Sequence, residues 1–144
     1  MTKISSISIK RDLELLLYTA WTRIIVSRHP EKTAFYDREK KNYCAVGACV
    51  SAVMGEENIF EALKNGALDD ESVAACVQAL FFAIPRRIRD AEMARGKDYL
   101  FGHAQAQSRR RTIVYAYNDQ NNKQVILEWI LDALVQVGRY PDAQ

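Results

Sequence analysis

The chain has 144 residues, 49% of them hydrophobic and 26% charged, with three prolines, six glycines and three cysteines. A chain of that size buries roughly 70% of the surface its unfolded form exposes, so one hydrophobic core is expected and disulfides are not needed to complete it. The composition excludes a disordered or low-complexity chain, and a net charge of +2 is too small to announce a nucleic-acid binder. The expected organisation is a single globular domain over 1–144, mainly α and compact, with five to six helices and a small β element near 112–117.

Residues 1–29 carry polar or charged side chains inside every apolar run. They form no signal-peptide core and no stretch of about 18 apolar residues, which sets the expectation of a cytoplasmic protein with no membrane partner. Cys44, Cys49 and Cys76 are odd in number and lack C-x-x-C spacing, in keeping with a reducing compartment.

The first predicted helix runs from about Ile9 to Arg28, where Leu13, Leu16, Leu17, Ala20, Trp21 and Ile24 repeat at the spacing of one helix face. Ser8 stands as its N-cap, Asp12 and Glu14 lie near the positive end of its dipole, and Pro30 stops it. Glu31 to Lys41 is polar without a helical period; its TAFY core fits a short strand or an aromatic-anchored loop, and the segment reads as a loop.

Asn42 to Val53, NYCAVGACVSAV, contains no charge and opens a second helix, capped by Asn42 and ended by Gly55. Gly47 and Ser51, Ala45 and Cys49, and Ala48 and Ala52 are each four apart, so adjacent ridges carry only small side chains. Such a surface lets another helix backbone come close, and that contact must offset glycine's helix cost of about 1 kcal/mol. Cys44 and Cys49 lie about 140° apart around the helix, so they do not share one metal ion.

A third helix, Glu56 to Asn65, ends at Gly66. A fourth, capped by Asp69 or Asp70, buries Val73, Cys76, Val77, Leu80, Phe81 and Ile84. Pro85 ends it and starts a fifth, Arg86 to Ala94, which stops at Gly96. The period is lost from Lys97 to Arg111, a candidate mobile loop. Thr112 to Tyr117, TIVYAY, is β-branched and aromatic and reads as the one good strand, with 33–36 its only internal candidate partner. Asn118, Asp119 and Asn121 then supply caps for the last helix, to Val137. Only Glu128, Asp132 and Gln136 form its polar stripe, so it should be central in the bundle, with the small-residue helix packed upon it, or half covered by a partner chain.

Tyr43, Cys44, Gly47 and Ala48 opening one helix, followed later by Asn118-Asp119, then Val125, Ile126 and Leu127 on an apolar terminal helix, resemble a family of small uncharacterised bacterial and phage proteins. The family pattern is roughly W-C-x-x-G-A-L, then N-D and a V-L-containing last helix. The resemblance spans about Tyr43 to Leu134 on about ten positions, with Tyr43 in place of Trp and Cys49 in place of the usual leucine. It implies fold and a phage or mobile-element origin and carries no assigned activity.

The charges divide along the chain. Glu56, Glu57, Glu61, Asp69, Asp70 and Glu71 face only Lys64 between 56 and 71, whereas 86 to 111 holds eight basic residues against Asp90, Glu92 and Asp98. Arg86, Arg87 and Arg89 occupy the first turn of the fifth helix, the end at which the dipole disfavours cations. With Arg109, Arg110 and Arg111, and with Tyr99, Tyr115 and Tyr117 nearby, they form the kit of a protein interface or of nucleic-acid binding. The expected function is a non-catalytic interaction or regulatory protein that binds a protein partner through 86–111, with homodimerisation or nucleic acid using the same residues as alternatives. A solvated face paired with the chain's own acidic helices is the plainer reading.

No cofactor or metal is expected, and no phosphate loop, G-x-S-x-G or H-E-x-x-H is present. Cys44 and Asp119 keep a small enzyme open as a third reading. Cys44 at a helix N-terminus could be an activated thiol, although a buried apolar role is the commoner use. Asn118 and Asp119, between strand and helix, are a candidate ligand junction that capping also explains.

Overall fold

The computed structural model describes residues 6–32, 34–95 and 103–139, with side chains for 12–32, 34–94 and 108–138. It is mainly helical with a two-stranded antiparallel sheet. The helices are α1 (Ser6–Val26), α2 (Ala45–Met54), α3 (Ile59–Lys64), α4 (Glu71–Ala83), α5 (Arg86–Arg95), α6 (His103–Gln120) and α7 (Lys123–Arg139), and the strands are β1 (Tyr36–Asp37) and β2 (Asn42–Tyr43). Short 3-10 turns at Glu56–Asn58 and Ala67–Asp69 lead into α3 and α4. Among the described residues no helix is long and apolar enough to cross a membrane.

The expected strand at 112–117 is the middle of α6. Its helical period was hidden because the inward stripe that carries Ile113, Val114 and Asn118 is continued toward the N-terminus by the half-buried Arg110 and Arg111. Their long stems pack where a leucine would announce a core position. β-branched residues weigh only a few tenths of a kcal/mol against a helix, and tertiary packing outweighs that. The count of helices therefore rises to seven among the described residues.

The sheet takes β1 from the segment read as a loop and β2 from the expected start of the second helix. Asp37 Oδ1 accepts from the backbone N–H groups of Glu39 (3.0 Å) and Lys40 (3.2 Å), an Asx turn that folds the polar run back. Lys41 takes the left-handed conformation at φ 57°. Tyr36 then pairs with Tyr43 and Asp37 with Asn42, the two tyrosine rings stacking at 4.4 Å. Asn42 is thus a strand residue and not a helix cap; its Oδ1 accepts from Arg28 N at 2.9 Å. Ser27 Oγ accepts from Tyr43 N at 3.0 Å, which pins β2 to the end of α1.

The small-residue helix α2 is the one enclosed: residues 45 to 51 are all buried. It packs on α1, α3, α4 and α6, while α7 lies along α1 and α4. The terminal helix is therefore a flank and not the centre, with Leu131 and Val135 exposed on it. Its inner face still fills the core through Ile126, Trp129, Ile130 and Ala133, with Trp129 Nε1 donating to Leu80 O at 2.7 Å.

Close backbone approach does occur at Gly47, but the visitor is the extended chain before β1. A Cβ built on Gly47 would lie 1.9 Å from Phe35 O and 2.7 Å from Phe35 C. The same carbonyl accepts from Cys44 N at 3.0 Å, so it cannot retreat without losing that bond. Gly47→Ala should therefore destabilise by about 3 kcal/mol or more, against alanine's helix advantage of about 1 kcal/mol. Guanidinium unfolding of the two chains measures it, and equal midpoints would remove this packing role.

Candidate functional site

Two places gather the residues singled out by sequence. The first is the arginine-bearing surface where α5 and α6 lie against α4. Asp70 caps α4 by accepting from Ser72 N (2.9 Å) and Val73 N (3.1 Å). At the other end of α4, Phe81 is buried and Phe82 points outward, 42% exposed, their rings edge to face at 5.1 Å.

Pro85 turns the chain so that α5 runs back past these rings. Arg89 Nη1 donates to Phe82 O at 2.8 Å, and its guanidinium lies 5.4 Å from the Phe82 ring centre. Arg110, from α6, places its guanidinium 5.3 Å from the same ring. Two cations thus share one partly exposed aromatic, each an attractive contact of about 0.5–1 kcal/mol at the surface.

The remaining arginines divide by role. Arg109 Nη2 donates to Glu92 O at 2.8 Å, joining α6 to α5. Arg111 reaches Leu68 O at 3.4 Å and Asp69 Oδ1 at 3.2 Å, so the expected pairing with the chain's own acidic segment is met at this position. Arg86 pairs with Asp90 at 3.4 Å, both largely exposed, a contact worth little in water. Arg87 is exposed. A groove of about 230 Å³ beside Arg110 and Arg111 is walled by Leu68, Asp69, Val77, Gln78 and Ser108.

Of the expected tyrosines, Tyr115 and Tyr117 do not join this surface. Tyr115 packs edge-on against Phe35 at 5.7 Å and Tyr117 against Trp129 at 4.7 Å. Tyr99 lies outside the described residues, as do residues 97–102 at the start of the segment read as a mobile loop; the rest of that segment, 103–111, is no loop but the first half of α6. Phe82 takes their place. Its signal in the sequence was an aromatic one position off the apolar stripe of α4, a place on a helix that faces outward.

The second place is the junction of α2 and α6. Asn118 and Asp119 belong to the last turn of α6 and do not stand between a strand and a helix. The cap of α7 is Asn122, whose Oδ1 accepts from Val125 N at 3.0 Å. Asn118, 2% exposed, instead caps α2 from a distance: its Oδ1 accepts from Ala45 N at 3.0 Å, and its Nδ2 donates to Glu31 O at 2.9 Å and to Asp119 Oδ1 at 3.0 Å. Lys32 Nζ donates to the carbonyls of Asn118, at 2.6 Å, and Asn121, placing a cation at the negative end of α6. Burial lowers the Lys32 pKa, with Asp119 opposing the shift.

Cys44 is the N-cap of α2, its Sγ accepting from Gly47 N at 3.2 Å. It lines a cleft of about 280 Å³ with Phe35, Val46, Tyr115, Asn118 and Asp119. Burial pushes its thiol up to about 12, more than the amide contacts that favour the thiolate pull it down. The group is a neutral cap at physiological pH, the opposite of an activated nucleophile. Of the histidines, His29 is exposed and the side chain of His103 lies outside the described residues. In the core, a hydrogen bond to Cys76 and burial hold the Cys49 thiol well above its usual range. No group of three metal-ligating side chains comes together among the described residues. No family model, curated protein or solved structure matches this chain.

Removing the Asn118 amide leaves Ala45 N buried without a partner and takes from the half-buried Glu31 O its Asn118 donor, so Asn118→Ala should cost about 3 kcal/mol. Equilibrium unfolding reads this directly. A second outcome concerns pH. The unfolded Cys44 thiol ionises near 9.0 and the folded one only at about 12, so the native state holds its proton across that interval while the unfolded state releases it. Stability is full below the lower value and is lost as pH rises toward the upper. Unfolding midpoints should fall through that alkaline window, and less steeply for Cys44→Ala.

Proposed function

We propose that this protein is a non-catalytic interaction protein that docks an acidic protein partner on the surface formed by the end of α4, α5 and the middle of α6. The observation that carries the reading is the Phe82 ring, partly exposed and flanked by the guanidinium groups of Arg89 and Arg110. An aromatic anchor ringed by arginines is the composition of interface hot spots, which draw most of their energy from a few such residues.

Arg86 and Arg87 stand exposed on the adjoining turn of α5, with Ile88 also exposed. They supply positive charge that speeds and orients encounter with an acidic surface. Arg109 and Arg111 serve a different purpose, holding α6 to α5 and to the turn before α4. Each gives a guanidinium nitrogen to the chain itself, which supports a protein partner over a phosphate backbone that needs many free cations.

The chain with Arg86→Glu and Arg87→Glu tests the proposal, because both side chains are exposed and the fold should be unchanged within about 0.5 kcal/mol. Affinity capture from the native host should recover a partner with the unaltered chain and lose it with the variant. Phe82→Ala should weaken the same complex by about 2 kcal/mol, roughly thirtyfold. A partner retained by both variants overturns the assignment. A nucleic-acid complex whose affinity collapses with added salt would transfer it to the alternative.

A further inference from the structure

The cleft between α2 and α6 has the make-up of a ligand site. Its walls are Phe35, Val46 and Tyr115 with the buried Cys44 thiol, and the exposed Ala34 and Asp119 mark its open side. These residues come from three distant parts of the chain, tied together by the hydrogen bonds of Asn118 and by the Phe35 carbonyl on Cys44 N. The cleft holds about 280 Å³. An apolar cavity of about 150 Å³ accommodates benzene, so this space has room for two fused rings. A mostly apolar pocket with a few polar groups at one end is how proteins commonly hold small molecules.

The walls select the shape of the occupant. The Phe35 and Tyr115 rings stand 5.7 Å apart at 77°, forming a nearly right-angled corner. A flat ring set in that corner stacks on one and meets the other edge-on, the two arrangements that aromatic pairs favour. The Cys44 thiol is neutral, and sulfur beside a ring adds a further attractive contact.

The polar end selects the charge. Asp119 Oδ1 accepts from Asn118 Nδ2 at 3.0 Å, and a carboxylate has about four acceptor positions, enough to serve a bound donor too. Lys32 lies within electrostatic reach of Asp119 and donates to the Asn118 carbonyl at 2.6 Å. The two charges offset each other, so a cationic occupant would face Lys32 and an anionic one Asp119.

We propose that this cleft binds a small, uncharged, flat aromatic molecule with one hydrogen-bond donor, its ring in the Phe35–Tyr115 corner and its donor on Asp119. Phe82, Arg89 and Arg110 do not line the cleft, so the site is independent of the partner surface.

Indole and indene are suitable probes, because they share a shape and only indole carries an N–H. In amide-resolved NMR titrations of the full chain, indole should shift the signals of Phe35, Val46, Tyr115 and Asp119 and saturate in the submillimolar range, the strength that good fragments reach. Indene should bind roughly tenfold more weakly, the worth of one hydrogen bond to a charged group. Cyclohexanol, with a donor and no aromatic ring, should also be weaker than indole. In Asp119→Ala the advantage of indole over indene should vanish, whereas mere loss of structure would weaken both alike. Ala34→Trp, at the exposed rim, should reduce indole binding by roughly tenfold or more, and Val135→Ala, exposed on α7, should leave it unchanged. Circular dichroism confirms that each variant is folded. Indole that moves none of these signals up to its solubility limit overturns the proposal, as does indene or cyclohexanol binding as tightly as indole, or a preference for indole that survives Asp119→Ala.

Discussion

The fold depends on how the first turn of α2 is held, because that turn sits where the chain's distant parts meet. One carbonyl, that of Phe35, presses on Gly47 and accepts from Cys44 N. One side chain, Asn118, takes the amide of Ala45 and returns a bond to Glu31. The four amides at a helix start have no partner within the helix, and burying them unmet would cost several kcal/mol. Here the thiol of the cap residue itself and a carboxamide from a distant helix meet two of them, and a glycine leaves room for the backbone that seals the site.

Much of this was legible in part. The uncharged run around Gly47 announced close backbone approach, and the structure has it; the identity of the visitor was hidden because an extended segment leaves no period to read. Asn118 was recognised as a capping residue, correctly by chemistry and wrongly by address. Local spacing ties a cap to the helix that follows it, and nothing in one sequence says that a side chain will cap a helix seventy-odd residues earlier. Helix ends marked by Gly55, Asp70 and Pro85 fell where glycine, aspartate and proline physics puts them.

The arginine surface was half legible for a different reason. Charge counting found the residues but treated them as equivalent, whereas packing sorts them. Arg109 and Arg111 each give one guanidinium nitrogen to carbonyls or to Asp69, as braces between helices. Arg89 and Arg110 keep flat cations against an outward-facing ring. The same half-buried arginines also erased the apolar period of α6, which is why TIVYAY read as a strand: a side chain with a long aliphatic stem can occupy a core-facing position under a polar name.

The reach of Asn118 has a bearing on how the chain is made. Its partners Ala45 and Glu31 lie 73 and 87 positions earlier, so during synthesis the N-terminal third emerges from the ribosome long before the residue that completes it. Until α6 is translated, the Ala45 amide at the start of α2 can turn only to water, and closing so long a loop is an entropic step that precedes any reward. The nascent α1–α2 segment is therefore loose while the C-terminal half is still being added, and the domain locks late, when one carboxamide arrives.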